Sequence, residues 1–522
     1  MTTPISVDRP GVRATAAESY VLAAVFLCIG SLLWGTGLAT DDYVHLMNGL
    51  TRPLGENWWP KEYLSVPLLH YTHALAYYLF GGNLWAYDLL KAVYAGIGVY
   101  FSSRFFRLFC APHRALVFGF LFVFLPIHDG ATFWFTGLYL VLSFSCYLFA
   151  FVQGANACYG RASVLALVGS LLSYGSPPVA FGLSALALMQ RRYKHAAALL
   201  VPNLIYSAYY VATSVLLKRG TERLTGEFSL LALGKQFLLQ IVTFLDAAGG
   251  PSAWAKLVYS IAGLDASGVV LGSLIAVALT WFAAREERAA VDGRLLAAAA
   301  VLLGAAFLMF AMTGLYPQLA FNLGNRIMIY GGFFLVCLLV VLTLPTVVEI
   351  GVVLLLCLSI AGVSHHWKQW NQTVERVGSN IRSLDGFRNI PAGAKVYVSG
   401  HQYSRLGPYS HIEFFQANYV VSNFFALQLG SKIAFHAVSF NRRLAFEDGG
   451  LRDRKYGDMA PVTGGIWLYD SERNALEWVA SAEIPARLRS LPDETRHWTQ
   501  QIGDGWLKTR LLEAVPRLRY AY

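Results

Sequence analysis

Two adjacent carboxylates, Asp41 and Asp42, directly follow the first long apolar run of the chain. That run covers 20–38 and is long enough to cross a bilayer at the rise of about 1.5 Å per residue of an α-helix. The acidic pair is therefore expected at the boundary between membrane and water. A carboxylate there can act as a general base toward an incoming hydroxyl group or can bind a divalent cation. It can equally cap an interfacial helix, and the spacing alone does not decide between these roles.

Other residues have types that suit a phosphate or a metal. His45 lies one turn after Asp41 and shares a face with it if the segment is helical. His128 and Asp129 suit a divalent cation, although an ordinary polar loop explains them as well. Arg326 begins a late apolar run, where a guanidinium can bind a phosphate through two hydrogen bonds or can anchor a helix at the interface.

Lys91 and Tyr316 are weaker candidates for contacts with a substrate. Lys91 lies three residues after Asp88, so an ion pair within one helix explains it cheaply. Nothing in the spacing singles out Tyr316. No phosphate-binding glycine-rich loop, nucleophile elbow or dinucleotide fingerprint accompanies these residues.

The composition indicates a membrane protein. Of 522 residues, 56% are hydrophobic and 14% are charged, and the mean hydropathy is +0.47, whereas soluble domains carry about 25% charged residues. The net charge of +10 fits cytoplasmic anchoring and anionic lipid head groups, and no basic and aromatic module points to nucleic acid. The six cysteines all lie in or beside the apolar part, which excludes a disulfide framework in the polar C-terminal part.

Repeated apolar runs predict a polytopic α-helical membrane protein with about eleven transmembrane helices. The predicted helices are 20–38, 84–106, 115–127, 133–152, two in a proline-broken hairpin within 163–189, 196–216, 269–284, 295–312, 327–344 and 349–363. Trp and Tyr within 39–82 predict short interfacial helices in the first outer loop. Residues 218–265 are expected to form a long polar and amphipathic loop.

The predicted organisation is a transmembrane domain over 1–365 and a small α/β domain over 366–522, with strands at 395–399 and 464–469. Lys and Arg in short loops favour the cytoplasm. Counting them over eleven crossings puts the acidic pair, Asp129, Arg326 and the C-terminal domain together on the opposite side.

This layout resembles the GT-C superfamily of membrane glycosyltransferases, which includes protein O-mannosyltransferases, lipid A aminoarabinose transferases and mycobacterial arabinofuranosyltransferases. The resemblance covers roughly residues 15–365 as architecture. Its sequence-level features are the Asp41-Asp42 motif in an elaborated first outer loop and the segment Gly82-Asn83-Leu84-Trp85-Ala86-Tyr87 before the second helix. Lys91 stands near where the family would place an arginine, and the C-terminal domain matches no pattern that can be assigned.

The resemblance implies an inverting glycosyltransferase in a bacterial inner membrane, with its site on the periplasmic or extracellular face. The donor would be a sugar on a polyprenyl phosphate, and the acceptor a hydroxyl group of a glycan, lipid or protein. Asp41 or Asp42 would take the acceptor proton, and Asp41 is favoured because it lies nearest the end of the first helix. Arg326 would stabilise the departing phosphate. The remaining assignments are His45, Lys91 and Tyr316 to substrate or phosphate binding and His128 with Asp129 to a divalent cation, Mg²⁺ or Mn²⁺.

Two other functions stay open. A transporter or flippase for a lipid-linked sugar would use the same groove without chemistry, although transporters more often show repeated halves and ionisable residues near the bilayer midplane. An O-antigen polymerase or ligase would use a diphosphate donor and several outer arginines, for which Arg219 and Arg223 are available.

The predicted sidedness can be tested by labelling. A single cysteine introduced beside Asp42 in a cysteine-free chain is expected to react with a membrane-impermeant maleimide on intact cells or spheroplasts. A cysteine beside Arg191, in a predicted cytoplasmic loop, is the matched control and is expected to react only after lysis. Labelling beside Asp42 that also requires lysis would overturn the arrangement.

Overall fold

A computed structural model describes residues 16–52, 64–216, 229–286, 291–314, 316–342, 344–430, 433–454, 459–495, 497–501 and 505–514. These residues form two compact units. The first unit contains the described parts of Met1–Gly35, Leu54–Ala76 and Leu84–His366. The second unit contains the described parts of Thr36–Pro53, Tyr77–Asn83 and Trp367–Tyr522.

Helices dominate the chain as far as Ser383. They are α1 (Ala16–Leu33), α2 (Asp41–Thr51), α3 (Pro67–Phe80), α4 (Leu84–Phe106), α5 (Pro112–Phe124), α6 (Asp129–Thr132), α7 (Phe135–Ala155), α8 (Tyr159–Leu172), α9 (Pro177–Met189), α10 (Tyr193–Val211), α11 (Leu230–Gly249), α12 (Pro251–Ala262), α13 (Ala266–Ala283), α14 (Arg294–Thr313), α15 (Ile329–Leu342) and α16 (Thr346–Ser383). Short 3-10 helices at Pro126–His128 and Leu323–Met328 precede α6 and α15.

Seven helical segments among the described residues are long and apolar enough to cross a membrane, which is the pattern of an integral membrane protein. They are Pro112–Thr132, Phe135–Ala155, Tyr193–Ser214, Leu230–Ala262, Arg294–Thr313, Leu323–Leu342 and Thr346–Ser383. The shorter apolar helices are Ala23–Leu33, Tyr159–Leu172, Pro177–Met189 and Ala266–Trp281. The predicted total of about eleven crossings stays a prediction.

The prediction of a long polar loop over 218–265 is wrong for its described residues, 229–265, because α11 and α12 occupy most of them. Gln240 is 1% exposed, whereas Leu230 is 89% and Leu238 is 62% exposed. Gln240 and Thr243 of α11 therefore pack inside the protein while leucines such as Leu230 and Leu238 lie outside, as expected of a helix in lipid. A further crossing would reverse the side of every later segment, so the sidedness stays a prediction.

The proline-broken hairpin is confirmed. α8 ends at Leu172, and α9 begins at Pro177 with Pro178 in its first turn. Proline suits this position because the first N–H groups of a helix have no partner within the helix and because its fixed φ angle is already helical.

The last long helix, α16, has 38 residues and continues from the predicted end at 363 to Ser383. Hydropathy falls where polar residues begin near His365, and this fall set the predicted end. Val374, Val377 and Ile381 nevertheless recur at helical spacing and are buried. The two units divide between His366 and Trp367, inside this helix.

Carboxylates join three helix ends in the first unit. Glu286 accepts hydrogen bonds from the backbone N–H groups of His113 and Arg114, both at 3.0 Å. The guanidinium of Arg114 donates to the two carboxylate oxygens of Glu349 at 3.1 and 3.2 Å. Negative charge at the start of α5 complements the helix dipole, and the two-point contact with Glu349 fixes the direction of Arg114.

The C-terminal part of the second unit is a small α/β fold, as predicted. Its elements are β1 (Lys395–Ser399), β2 (Tyr403–Leu406), β3 (Tyr409–Glu413), α17 (Asn418–Leu429), β4 (His436–Ser439), β5 (Leu444–Glu447), β6 (Gly450–Asp453), β7 (Met459–Pro461), β8 (Gly465–Asp470), β9 (Ala475–Ala480), α18 (Ile484–Ser490) and α19 (Trp506–Ala514). The main sheet has the order β4-β1-β8-β9, in which β1 is parallel to β4 and β8, and β9 is antiparallel to β8. Both predicted strands, β1 and β8, are present.

The segment before α2 contains a position that requires glycine. Gly37 has φ +63°, and a Cβ there would overlap the side chain of Asn371, which lies in the same unit. Gly37→Ala is therefore expected to lower the free energy of unfolding by more than about 1 kcal/mol, because the left-handed backbone and the overlap both disfavour alanine. Thermal unfolding of the purified protein in detergent measures this change.

Gly30→Ala is the matched control for this substitution. Gly30 lies within α1, and a Cβ there would meet nothing within 4 Å. Alanine is expected to keep or slightly raise stability at this position. Equal unfolding temperatures for the two variants would contradict the strain assigned to Gly37.

Candidate functional site

Asp42, the second carboxylate of the pair, is fully buried in the second unit. Its Oδ2 accepts a hydrogen bond from the backbone N–H of Ala39 at 2.9 Å, so the carboxylate turns back toward the residues before α2. Thr40, between them, has φ +39°, which is uncommon for a residue with a side chain. Asp42 therefore bonds to the backbone that leads into α2, and its assignment as a catalytic base stays a prediction.

Asp41 is partly exposed. The hydroxyl group of Tyr419 in α17 donates a hydrogen bond to Asp41 Oδ1 at 3.1 Å, and Tyr419 itself is 50% exposed. Of the two carboxylates, Asp41 is thus the one whose surroundings suit contact with a substrate.

Aromatic packing fixes α2 against the C-terminal fold within this unit. The ring of Tyr43 contacts Phe424 edge-to-face, with centroids 5.0 Å apart, and lies 6.0 Å from Phe414. Burial raises the pKa of Tyr43, and the charges of Asp42 and Glu375 add to this rise. Tyr43 consequently stays protonated, and its hydroxyl group donates to the carbonyl of Leu38 at 3.1 Å.

His45 is 9% exposed. Its ring stacks on Tyr77, with centroids 6.4 Å apart and an angle of 12° between the ring planes. The residue therefore takes part in the packing of the second unit. Its assignment to substrate binding stays a prediction.

Lys91 in the first unit forms the ion pair that the sequence allowed as its simpler explanation. Its Nζ lies 2.9 Å from Asp88 Oδ1, and the lysine is fully buried. Asp88 also accepts a hydrogen bond from the backbone N–H of Gly35 at 2.8 Å. Lys91 thus neutralises a buried carboxylate inside α4, and its assignment to phosphate binding stays a prediction.

Asp129 pairs with a lysine that the sequence did not single out. Lys256 Nζ lies 2.8 Å from Asp129 Oδ1, and both side chains are fully buried. The amide of Asn325 donates to the same oxygen at 2.5 Å. Lys256 lies in the stretch assigned to a loop, so no membrane position marked it as unusual, although a lone lysine in the apolar segment Pro251–Ala262 was a usable signal.

This arrangement bears on the predicted divalent cation at His128 and Asp129. The carboxylate assigned to the cation is instead neutralised by Lys256. Within the part of the chain that the structure describes, no three His, Cys, Asp or Glu side chains are grouped so that they could hold a metal ion. His128 and Asp129 therefore have no third ligand of these types there.

Arg326 lies close to Tyr316 and to Trp134 in the first unit, and the assignment of Arg326 and Tyr316 to phosphate or substrate binding stays a prediction. The Arg326 guanidinium carbon lies 5.1 Å from the ring centroid of Trp134 and 5.8 Å from that of Tyr316. Its Nη1 donates to the carbonyl of Leu323 at 3.0 Å. Among the described residues no carboxylate pairs with Arg326, which is partly exposed. A guanidinium can contact aromatic rings in this way and still donate hydrogen bonds to an anion.

The two groups of residues belong to different units. Asp41, Asp42 and His45 lie in the second unit, and Lys91, His128, Asp129, Tyr316 and Arg326 lie in the first. Their predicted convergence stays a prediction. Arg219 and Arg223, which kept a diphosphate donor open, lie outside the described residues.

Comparison with known proteins adds no family: no family model matches the chain, and no curated protein does so. Any functional assignment accordingly depends on the residues themselves.

The different surroundings of the two carboxylates make a testable prediction. Asp42→Ala is expected to lower the free energy of unfolding by about 1–3 kcal/mol, because the N–H of Ala39 loses its partner in a buried place. Asp41→Ala is the matched control and is expected to cost less than about 1 kcal/mol, since Asp41 is partly exposed. Thermal unfolding in detergent compares the variants, and equal losses would show that the burial of Asp42 has no structural role.

Proposed function

We propose that this membrane protein is an inverting glycosyltransferase that moves a sugar from a polyprenyl phosphate to an acceptor hydroxyl group. The observation that carries the proposal is Arg326, whose guanidinium carbon lies over the rings of Trp134 and Tyr316 and which has no carboxylate partner among the described residues. Such a group is suited to a lipid-linked phosphate at a membrane protein's surface.

The contrast with other cations of the first unit supports this role. Lys91 and Lys256 are fully buried, and each lies within 2.9 Å of an aspartate. Their charges are therefore neutralised inside the protein. Arg326 is partly exposed, and of its five N–H donors one at Nη1 donates to the carbonyl of Leu323. Unlike those two ammonium groups, its guanidinium is proposed to compensate the charge that grows on a departing phosphate.

Asp41 is the proposed general base. The acceptor oxygen forms a bond to the anomeric carbon of the sugar while the bond from that carbon to the phosphate oxygen breaks. The acceptor proton passes to the Asp41 carboxylate, and the polyprenyl phosphate leaves as an anion beside Arg326. The phosphate is already a good leaving group, so the reaction needs no strong general acid. Because one displacement occurs, the anomeric configuration inverts.

The proposal is tested with purified protein and synthetic short-chain polyprenyl-phosphate sugars. Asp41→Asn is expected to lower donor turnover by about 10²–10⁴-fold, the usual contribution of a general base. Arg326→Gln is expected to lower it by about 10²–10³-fold, the usual contribution of one charge-stabilising group. Release of polyprenyl phosphate, measured by chromatography or mass spectrometry, gives the rate.

Asp385→Asn and Arg388→Gln are matched controls, because these two side chains are 83% exposed and pair with each other. Both are expected to keep the turnover of the wild type. Wild-type turnover by Asp41→Asn and Arg326→Gln would contradict the mechanism. Movement of the lipid-linked sugar across liposomes without cleavage of the sugar–phosphate bond would instead establish a transporter.

A further inference from the structure

Three buried polar side chains form a network in the first unit. Lys256 of α12, Asp129 of α6 and Asn325 of the 3-10 helix Leu323–Met328 are each at most 1% exposed. Lys256 Nζ and Asn325 Nδ2 both donate to Asp129 Oδ1, at 2.8 and 2.5 Å. Both also donate to the carbonyl of Ala320, at 3.1 and 3.2 Å. Three segments distant in the sequence therefore meet at one carboxylate and one carbonyl.

The network lies directly beside the proposed phosphate site in the sequence. Asn325 immediately precedes Arg326. Elsewhere in the sequence, α6 runs from Asp129 to Thr132. Trp134, whose ring contacts the guanidinium, follows two residues later. Both members of the Arg326–Trp134 contact thus follow a residue that the network fixes.

Further contacts leave this junction little room to move. Asn325 Oδ1 accepts a hydrogen bond from the backbone N–H of Gly130 at 2.9 Å. A Cβ at Gly130 would lie 2.5 Å from that oxygen, so the close approach requires glycine. The ammonium of Lys256 also lies 5.3 Å from the ring centroid of Phe321. The Asn325 amide therefore holds the backbone at Gly130, which precedes Trp134. The Asn325 amide and the Lys256 ammonium together hold the backbone at Ala320, which precedes Arg326.

The chain before Arg326 needs such support. Residues 316–322 form neither helix nor strand, and Asn322 has φ +70°. Irregular backbone in a membrane protein is stable only where its polar groups find partners within the protein. Lys256 and Asn325 supply those partners to the carbonyl of Ala320.

We infer that Lys256, with Asp129 and Asn325, is a positioning residue that fixes Arg326 and Trp134 in the geometry that binds the donor phosphate. This inference rests on the proposed function of Arg326. A buried ion pair is weak support for stability, since apolar side chains of similar volume often stabilise a protein as well. Its value here is geometric, because a two-point contact with a phosphate tolerates only small displacements of the guanidinium.

Binding of farnesyl phosphate, a short polyprenyl phosphate without sugar, tests the inference without turnover. Asp129→Asn with Lys256→Met removes both charges together and leaves no unpaired buried charge. Asn325→Ala keeps the ion pair but removes the amide that connects it to the residue before Arg326. Calorimetric titration gives the dissociation constant for farnesyl phosphate, and thermal unfolding gives the stability of each variant.

The matched control is Arg114→Met with Glu349→Gln, which removes another ion pair of the same unit, in which Arg114 is buried and Glu349 is 14% exposed. We expect the dissociation constant to rise about tenfold or more for the double variant at 129 and 256 and for Asn325→Ala. The control is expected to lose comparable stability while it binds farnesyl phosphate as tightly as the wild type. A purely structural ion pair would change the unfolding temperature alone.

The outcomes separate this inference from the proposed function. If Arg326→Gln weakens binding but the network variants bind like the wild type, the positioning role is wrong and the phosphate site stands. If the wild type and Arg326→Gln bind farnesyl phosphate equally weakly, the phosphate site fails and the inference fails with it. Should the double variant not fold, Asn325→Ala decides, because it leaves the charges of Lys256 and Asp129 paired.

Discussion

The low dielectric constant of a bilayer requires that charges inside the protein find partners there, and three buried cations of the first unit meet this requirement. Lys91 meets Asp88, and Lys256 meets Asp129. Arg114 meets Glu349, while Glu286 accepts from the start of α5. Against this background the guanidinium of Arg326, which contacts two aromatic rings and no carboxylate among the described residues, is an exception.

The same constraint explains the polar face of α11. Gln240 donates to the carbonyl of Tyr316, and its own carbonyl accepts from the amide of Gln318 at 2.7 Å. Thr243 accepts from the backbone N–H of Gln318. Gln240 and Thr243 thus supply hydrogen-bond partners to the irregular segment before Arg326, while leucines such as Leu238 lie outside. In a soluble protein the leucines of such a helix would face the core, whereas here Leu238 faces outward and Gln240 and Thr243 face the interior.

Local patterns in the sequence predicted most of the helices but not the tertiary contacts between their side chains. α4 begins and ends at the predicted residues, and the prolines of α9 mark the hairpin, because apolar runs and proline act over a few residues. The ion pair of Lys256 could not be predicted from local patterns, because its partner Asp129 lies 127 residues away in the sequence. The sequence also could not predict that Asp42 is buried while Asp41 is partly exposed, because burial and the hydrogen bond to Ala39 depend on tertiary packing.

The second unit is assembled from three separate stretches of the chain, and this has a consequence for its biosynthesis. Asp41 and its hydrogen-bond partner Tyr419 are 378 residues apart in the sequence. At about 5–20 residues per second of translation, α2 emerges many seconds before the rings of Phe414 and Phe424 against which it packs. The acidic pair therefore cannot reach its native surroundings until the C-terminal fold has been made. An exchange of C-terminal domains between proteins of this architecture would accordingly have to carry α2 with it.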